Sequence, residues 1–528
     1  MGVIDRRRFL KLCLAGAAAS SLSLPLVTTS CRTRGGPPNI LIIYADDLGY
    51  GDVGVYNPES KIPTPNLDRL AREGIRFTDA HSPSTVCTPS RYGLLTGRMP
   101  FRAGAHGVFT GAGGPCLIEP ERLTLPRMLR DHGYATACVG KWHLGLTFYD
   151  KEGRPINENG LEAVQRIDYS RAISGGPTQV GFDRFFGTAC CPTTDWLYAY
   201  IEGDQIPVPP THILDRGPLP KHPYSHDNRP GMIAPNYDLE EVDLVFLDKS
   251  RDFLRDHVKK HPEQPFFLYH ATQAVHLPSF PADRFKGKTQ AGPHGDFIFE
   301  LDFIVGELLK TLDDLGVAEN TLVMFASDNG PETTTVYHMR TDYGHDPARP
   351  WRGMKRDQWE GGHRVPFIAR WPGKIPPGRT THTHQLTSFT DVMATLAALV
   401  DAELPENAAE DSHNMLPVLT GDQEEGNPVR AYLIQQSSQK GCLSIRRGPW
   451  KYLNHPGSGG NQYERSEILE GYIIPEEAPD APGQLYNLDE DPGETKNLYY
   501  KEPEIVAELK EKLEAFAASG RSAPARRR

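Results

Sequence analysis

Two pairs of oxygen-bearing side chains each follow an apolar run of the sequence. Asp46 and Asp47 end one such run, and Asp328 and Asn329 end another. Carboxylate and amide oxygens suit a hard cation, with Ca²⁺ the first expectation and Mg²⁺ the second. The same residue types also cap helices and form turns, so either pair alone is weak evidence for a metal. Together they predict a cation site, provided that the two runs lie side by side.

The densest group of chemically active residues is the segment 87–97, Cys-Thr-Pro-Ser-Arg-Tyr-Gly-Leu-Leu-Thr-Gly. Pro89 and Ser90 are favourable in the first turn of a helix, so Cys87 is expected at a helix N-terminus. Free backbone N–H groups and the helix dipole stabilise anions at such a position. With Arg91 nearby, these residues alone indicate a thiolate nucleophile. The alternative is a buried, inert cysteine beside a helix cap.

The apolar runs predict the elements that position these residues. Continuous apolar, β-branched runs are typical of strands buried on both faces of a parallel sheet, and they occur at residues 40–45, 265–270 and 321–327. Helical patterns lie between them at residues 66–73, 125–132, 239–259 and 297–315. This alternation predicts an α/β fold with a doubly wound, mainly parallel large sheet flanked by helices. Ligands gather at the carboxyl ends of such strands, which is where both acidic pairs stand.

The rest of the chain divides by composition. The predicted catalytic α/β domain covers residues 37–425, and its segments 147–181 and 190–238 lack clear periodicity and are rich in proline, glycine and histidine. Long loops of this kind commonly shape a binding face. Short alternating segments predict a smaller C-terminal subdomain over residues 428–518, an antiparallel sheet followed by a helix. A basic tail is expected over residues 519–528, with disorder from Arg521 to Arg528.

The composition is that of a loop-rich globular protein. Of 528 residues, 38% are hydrophobic and 24% are charged, and the 50 glycines and 46 prolines follow no period, which argues against collagen, coiled coil and extended disorder. The net charge of −11 argues against a nucleic-acid partner, because no basic field would attract phosphates. An anionic substrate would therefore need a local basic pocket. The eight cysteines form neither a disulfide framework nor a Cys-x-x-Cys zinc motif.

The N-terminal residues have the features of an export signal. Residues 6–11, Arg-Arg-Arg-Phe-Leu-Lys, fit the twin-arginine pattern, and an apolar stretch diluted by small residues follows. We expect an export signal over residues 1–31, the twin-arginine export machinery as partner, and a location in the periplasm or at the cell surface. Cys31 follows small residues and is a candidate for lipid anchoring, although Thr28 stands where leucine is usual. No other stretch reaches 18 apolar residues, so no transmembrane helix is expected in the exported body.

The segment 87–97 resembles the signature of the type I sulfatases of the alkaline phosphatase superfamily, which is Cys-x-Pro-Ser-Arg followed by Leu-Leu-Thr-Gly. Further motifs stand in the order found in this family: Ala45-Asp46-Asp47-Leu48-Gly49, Gly140-Lys141-Trp142-His143-Leu144-Gly145, Ser327-Asp328-Asn329-Gly330-Pro331 and Glu360-Gly361-Gly362. The similarity covers about residues 38–497. The resemblance implies an alkaline-phosphatase-like fold and the hydrolysis of sulfate esters.

The resemblance also implies a modified nucleophile. Cys87 would be oxidised to formylglycine by a formylglycine-generating maturation enzyme, and the hydrated aldehyde, a geminal diol, would replace the thiolate. Arg91 would hold a diol oxygen, and Asp328 would accept the diol proton. The calcium shell implied by the resemblance consists of Asp46, Asp47, residue 87, Asp328 and Asn329.

Four further residues take roles by the same resemblance. Lys141 and Lys355 would neutralise sulfate oxygens, and His143 would take the proton of the second hydroxyl. His276, together with Lys355, would protonate the leaving oxygen. The spacing of Lys141 and His143 about Trp142 would place both side chains on one face if all three belong to a strand.

The expected substrate is a sulfated carbohydrate or an aryl sulfate, and the loops look like those of bacterial sulfatases acting on glycans such as 6-sulfated galactosamine. His345 and Trp196 are expected to contact it, since aromatic and polar side chains suit sugars and aryl groups. The family's helper hydroxyl is expected at Thr193 or Thr194. Two alternatives stay open: a phosphonate monoester or phosphodiester hydrolase with the same device, and an inactive glycan-binding relative whose Cys87 is never modified.

Overall fold

The computed structural model describes residues 36–382, 384–424 and 426–525, so the predicted export signal and Cys31 lie outside the described residues. Within these ranges the α-helices are α1 (Pro65–Arg72), α2 (Cys87–Thr96), α3 (Leu125–Asp131), α4 (Leu161–Gln165), α5 (Val242–Lys260), α6 (Gly292–Asp314), α7 (Thr333–Tyr343), α8 (Asp391–Leu399), α9 (Leu416–Thr420) and α10 (Pro503–Ala518). The strands are β1 (Asn39–Ala45), β2 (Ile75–Phe77), β3 (Ala80–His81), β4 (Ala135–Lys141), β5 (Phe148–Tyr149), β6 (Pro155–Ile156), β7 (Arg184–Thr188), β8 (Leu197–Tyr198), β9 (Ile201–Glu202), β10 (His212–Ile213), β11 (Met232–Ile233), β12 (Phe266–Ala271), β13 (Thr321–Ser327), β14 (Phe367–Arg370), β15 (Arg379–Thr380), β16 (Thr387–Ser388), β17 (Leu433–Gln436), β18 (Leu443–Arg447), β19 (Trp450–Leu453) and β20 (Gln484–Asn487).

A nine-stranded sheet forms the centre of the fold, in the order β15-β2-β14-β13-β1-β12-β4-β7-β9. The five strands from β13 to β7 are parallel neighbours. Antiparallel strands adjoin them, β14 beside β13 and β9 beside β7. Every residue of β1 is buried, which is why its sequence shows no alternation of polar and apolar residues. The predicted mainly parallel, doubly wound sheet is confirmed.

Two groups of helices flank this sheet: α1, α5 and α6 pack together, and so do α2, α3 and α8. Helix α5 buries Phe246, Leu247, Phe253 and Leu254, residues that recur on one face of a 3.6-residue repeat. Helix α6 is five residues longer at its N-terminus than its apolar pattern predicts. Its first turn contains Pro293, which is favourable there because that turn needs no N–H donor.

The predicted C-terminal antiparallel sheet is also present, as β17-β18-β19-β20, with α10 packed against it. Its register places Arg446 directly opposite Lys451, and both side chains are buried. Glu360 accepts a hydrogen bond from Arg446 and forms an ion pair with Lys451, both at 3.0 Å, which offsets the repulsion. Burial alone would raise the pKa of Glu360, but Lys451 and Arg446 hold it well below its usual range. This buried ion cluster of Glu360, Arg446 and Lys451 joins the sheet to the catalytic domain.

The expected disordered tail is wrong for its first part. Ser522 and Ala523 each donate a backbone N–H to the carbonyl of Glu410, and the Ser522 hydroxyl donates to Asp411 at 2.7 Å. Ala523 is buried in this contact. The small side chains of Ser522 and Ala523 allow the backbone to approach Glu410 closely. The basic composition of the segment gave no indication of this contact. In the part of the chain that the structure describes, no helix is both long and apolar enough to cross a membrane.

Candidate active site

The carboxyl ends of β1 and β13 bring the two acidic pairs together. The strands are in register from Asn39 opposite Thr321 to Ala45 opposite Ser327, so Asp46 and Asp47 meet Asp328 and Asn329 as predicted from the strand ends. Asp47, with a left-handed φ of 58°, donates its N–H to Asp328 Oδ1 at 3.2 Å. Carboxylate oxygens of the three aspartates lie within 4.8 Å of one another.

The oxygens at this edge fit a hard cation. Asp46 Oδ1 and Asn329 Oδ1 are buried and accept no hydrogen bond, although buried polar atoms are ordinarily satisfied. Asn329 Nδ2 donates to Asp47 Oδ1 at 2.7 Å, which orients the amide. Burial and then the charge of Asp46 raise the pKa of Asp328 well above its usual value. A cation bound among these atoms would satisfy the free oxygens and favour the ionised carboxylates.

Cys87 is the first residue of α2, as the sequence predicts, and all of this helix is buried. Gly93 allows α2 to lie against Pro83, since a Cβ on this glycine would stand 2.6 Å from the proline ring. Potential ligand atoms of Cys87, Asp46 and His276 lie within 4.8 Å of one another. The helix therefore places residue 87 between the acidic pairs and a histidine.

Arg91 lies one helical turn after Cys87 and reaches the same group. Its guanidinium donates to Asp328 Oδ2 at 2.7 Å and to Asp46 Oδ2 at 3.2 Å. A third donor binds the carbonyl of Lys141 at 3.2 Å. The planar fork of an arginine can make these contacts at once, which a lysine could not. Arg91 thus fixes the carboxylates relative to α2.

Lys141 and His143 approach residue 87 from β4. The Lys141 ammonium forms an ion pair with Asp46. The condition under which one strand would carry both side chains is not met, because β4 ends at Lys141 and His143 has a left-handed φ of 58°. His143 Nε2 lies 2.8 Å from the carbonyl of Phe109, which can only accept, so Nε2 carries the proton and Nδ1 is free to act as a base. His143 contacts Cys87, and burial and then the charge of Lys141 lower its pKa.

His276 and Lys355 complete the group from the opposite side. His276 Nδ1 faces the carbonyl of Leu277, which fixes the proton on Nδ1 and directs Nε2 to the site, 3.8 Å from Asp47 Oδ2. Burial and then the charge of Lys355 lower the pKa of His276 to about 4. Lys355 Nζ lies 2.7 Å from Asp47 Oδ1 and 3.7 Å from Glu332 Oε2.

Comparison with known proteins agrees with this geometry. A family model described as Sulfatase matches residues 38–402. The chain is 35% identical over 504 residues to the N-acetylgalactosamine-6-O-sulfatase of Bacteroides thetaiotaomicron, covering 90% of this chain and 93% of that protein. The chain belongs to the sulfatase family. It is therefore a sulfuric ester hydrolase.

Two further similarities extend over most of this sulfatase. Human arylsulfatase A is 35% identical to this chain over 507 residues, and the match covers 94% of this chain and 90% of the human protein. A solved structure from a study of glycosaminoglycan metabolism by Bacteroides thetaiotaomicron superposes with a TM-score of 0.75 at 33% identity, covering 91% of this chain and 99% of the other. The architecture is the alkaline-phosphatase-like one that the sequence motifs imply.

The sulfatase has a second thiol beside residue 87 that sequence reasoning missed. Interaction with Cys191 is the largest influence that lowers the pKa of the Cys87 thiol well below its usual value. Cys191 Sγ also lies 3.9 Å from His276 Nε2. The two candidates for the helper hydroxyl have partners of their own: Thr193 Oγ1 accepts from Gln273 Nε2 and donates to the carbonyl of Pro278, and Thr194 Oγ1 donates to the carbonyl of Asp227. The aperiodic loop that carries Cys191 offered no sequence signal for this contact.

The two predicted substrate residues of the sulfatase differ in their surroundings. His345 is buried, its Nε2 binds Asp52 Oδ1 at 2.9 Å, and its Nδ1 accepts from the N–H of Lys61 at 3.3 Å. Both ring nitrogens are engaged, so the structure does not place His345 with the residues around Cys87. Trp196 is half-buried, lies against Gly111 in the loop whose Phe109 carbonyl holds His143, and carries Arg229 over its ring at 5.9 Å.

Proposed function

We propose that this sulfatase removes O-sulfate groups from glycans, with 6-sulfated N-acetylgalactosamine as the first substrate to test. The position of residue 87, whose Sγ lies within 4.8 Å of ligand atoms of both Asp46 and His276 and which interacts electrostatically with His143, is the observation that carries the proposal. A nucleophile there has a base on one side and an acid on the other. The names of two relatives support this substrate. The relative from Bacteroides thetaiotaomicron is an N-acetylgalactosamine-6-O-sulfatase, and a human relative is an N-acetylgalactosamine-6-sulfatase.

The proposed nucleophile is formylglycine made from Cys87. The motif Cys87-Thr88-Pro89-Ser90-Arg91 at the start of α2 supports this modification. Hydration of the aldehyde gives a carbon with two hydroxyl groups, one to attack sulfur and one to release the product. A serine at this position would supply only the first of them.

The proposed cofactor is one Ca²⁺, held by Asp46, Asp47, Asp328 and Asn329 together with residue 87. The two free buried oxygens of Asp46 and Asn329 support it, and an all-oxygen donor set favours Ca²⁺ over Zn²⁺. When bound, the cation supplies positive charge that stabilises the ionised nucleophile and the sulfate oxygens.

The side chains around residue 87 can carry the reaction in two steps. In the first, Asp328 takes the proton of the attacking hydroxyl, an oxygen–sulfur bond forms, and the bond from sulfur to the alcohol oxygen breaks as His276 protonates that oxygen. In the proposed mechanism Lys141 and Lys355 hold the remaining sulfate oxygens. In the second step His143 Nδ1 takes the proton of the other hydroxyl, the aldehyde reforms, and sulfate departs. Water then adds to the aldehyde and restores the diol.

Mass spectrometry of the peptide that contains Cys87 tests this proposal. We expect loss of the sulfur and an aldehyde that reacts with a hydrazide, in protein that also releases sulfate from N-acetylgalactosamine 6-sulfate. An active protein with an intact Cys87 thiol would refute the formylglycine mechanism. Faster turnover of a phosphonate monoester or phosphodiester than of any sulfate ester would refute the substrate class.

Export and maturation belong to the same proposal. The twin-arginine pattern at residues 6–11 supports transport to the periplasm or cell surface, and Cys31 supports lipid anchoring there. The maturation enzyme that oxidises Cys87 would be the second protein partner. Mass spectrometry of the mature N-terminus, with Cys31→Ser as the control, would detect a lipid on that cysteine.

A further inference from the structure

A single buried carboxylate holds the turn on which His276 stands. After β12 ends at Ala271, Gln273 donates its N–H to Asp243 Oδ1 at 2.8 Å, and Ala274 donates its N–H to Asp243 Oδ2, also at 2.8 Å. Asp243 belongs to the first turn of α5 and its side chain is buried. Both of its oxygens are therefore committed to two successive N–H groups of one turn.

The same turn is linked to other parts of the active site. Val275 donates its N–H to the carbonyl of Asp46 at 2.6 Å, and Asp46 donates to the carbonyl of Ala274 at 3.0 Å. Gln273 Nε2 donates to the carbonyl of His276 at 3.0 Å and to Thr193 Oγ1 at 2.7 Å. A rotation of this turn would therefore move the His276 ring relative to both Asp46 and residue 87.

We propose that Asp243 is a positioning residue for His276, and that Gln273 completes the clamp. The inference rests on the proposed function of His276 as the acid that protonates the leaving oxygen. An acid must stay within hydrogen-bond reach of that oxygen, and a displacement of about 1 Å can cost on the order of a hundredfold in rate. His276 extends from a short turn rather than from a strand, so its position depends on what holds the turn. Asp243 holds it through the backbone and touches neither substrate nor residue 87.

The substitution Asp243→Asn tests this assignment. Asparagine keeps the size of the side chain but has one acceptor oxygen, so it loses one of the two N–H bonds and directs its own N–H groups at the turn. We expect kcat/KM for N-acetylgalactosamine 6-sulfate to fall by roughly ten- to a hundredfold. Hydrolysis of 4-nitrophenyl sulfate should change little, because its leaving group departs without a proton. The ratio of the two values of kcat/KM is the readout, since general damage to the fold lowers both alike.

Glu300→Gln is the matched control. Glu300 is a buried carboxyl that interacts electrostatically with Asp243, but its Oε2 accepts from the N–H of Ala282 and its Oε1 accepts no hydrogen bond. Burial raises the pKa of Glu300 well above its usual value, so the neutral glutamine resembles the form present at neutral pH. The ratio of the two substrates should stay at the wild-type value in this variant.

A second variant and a double mutant complete the test. Gln273→Met keeps the length of the side chain and removes the bonds to His276 and Thr193, so it should lower the same ratio even if Asp243→Asn folds poorly. In a His276→Ala background, Asp243→Asn should cause no further loss of the ratio. A ratio unchanged by Asp243→Asn and Gln273→Met, while His276→Ala lowers it, would overturn the positioning role alone. No effect of His276→Ala on the ratio would instead refute the acid role on which the inference rests.

Discussion

Replacement of His276 by alanine should separate two kinds of sulfate ester. A sugar hydroxyl is a poor leaving group and needs a proton as the bond to sulfur breaks, whereas nitrophenol leaves as its anion. In the proposed mechanism His276 gives that proton, and its geometry allows this because Nδ1 is held by the carbonyl of Leu277 while Nε2 faces Asp47 at 3.8 Å and the side chain is 12% exposed. General acid catalysis is worth typically 10²–10⁴-fold, or about 3–5 kcal/mol of barrier. His276→Ala should lose about this factor on N-acetylgalactosamine 6-sulfate and far less on 4-nitrophenyl sulfate.

The pH dependence of kcat/KM also tests the proposed acid role of His276. In the proposed acid role the protonated imidazole is the active form, and the pKa of His276 is lowered from 6.5 to about 4 by burial and then by Lys355. At pH 7 about one free enzyme in a thousand then carries the proton. The value of kcat/KM on the sugar sulfate should therefore fall about tenfold per pH unit above this pKa. His276→Ala should abolish this dependence, and 4-nitrophenyl sulfate should not show it in either protein.

The assay is kcat/KM for both substrates from pH 4 to pH 8, in wild type, His276→Ala and His345→Ala. His345 is a buried histidine held by Asp52 and Lys61, so its loss should change both substrates by one factor. Single-turnover rates separate attack on sulfur from later steps. Equal losses on the two substrates for His276→Ala would refute the acid role, and Lys355 would then be the residue to test.

Three further predictions follow from the site and from the buried ion cluster. Cys87→Ser should fold and accept one sulfate group but fail to turn over, because an alcohol cannot expel sulfate as the diol does; multiple turnovers by this variant would refute the mechanism. Chelation by EDTA should abolish activity, and Ca²⁺ should restore it better than Zn²⁺ does; full activity of metal-free protein would remove Asp46 from its metal role. Glu360→Gln should destabilise the protein by about 3–5 kcal/mol in denaturant unfolding, because Arg446 and Lys451 lose their shared buried carboxylate. Glu158→Gln, which removes only an exposed ion pair with Arg166, is its control and should have no measurable effect.

The parts of this protein that sequence could predict are those encoded by local patterns. The burial of β1 and β13 leaves uninterrupted apolar runs, and the end of each run marks the edge of the sheet where Asp46 and Asp328 meet. The order of short motifs resembled that of the sulfatase family, and four of the motifs carry residues that the structure groups around residue 87, whereas Glu360 belongs to the buried ion cluster. Cys87 could be assigned to a helix N-terminus from Pro89 and Ser90.

What sequence could not predict depends on contacts between distant segments. His143 reaches residue 87 from a left-handed backbone after β4, so its spacing from Lys141 did not reveal its local structure. Cys191 and Asp243 have no pattern of their own, since one lies in an aperiodic loop and the other in the first turn of an ordinary amphipathic helix. His345 shows the reverse case, since it was expected to contact the substrate but both of its ring nitrogens bind other parts of the fold.

The charges of the site explain how a protein of net charge −11 can bind an anion. Three buried carboxylates face three buried cations: Asp46, Asp47 and Asp328, and Arg91, Lys141 and Lys355. When all six groups are ionised their charges cancel, so a divalent cation and the sulfate dianion released as product together leave the site neutral, whereas the dianion alone would add two uncompensated negative charges in a buried place. Salt screens buried charge pairs only weakly, so the affinity for sulfate depends on the balance of charges within the site. The net charge of the protein instead affects the rate at which the anionic substrate approaches. Binding of the cation and of sulfate should therefore reinforce each other within this sulfatase site.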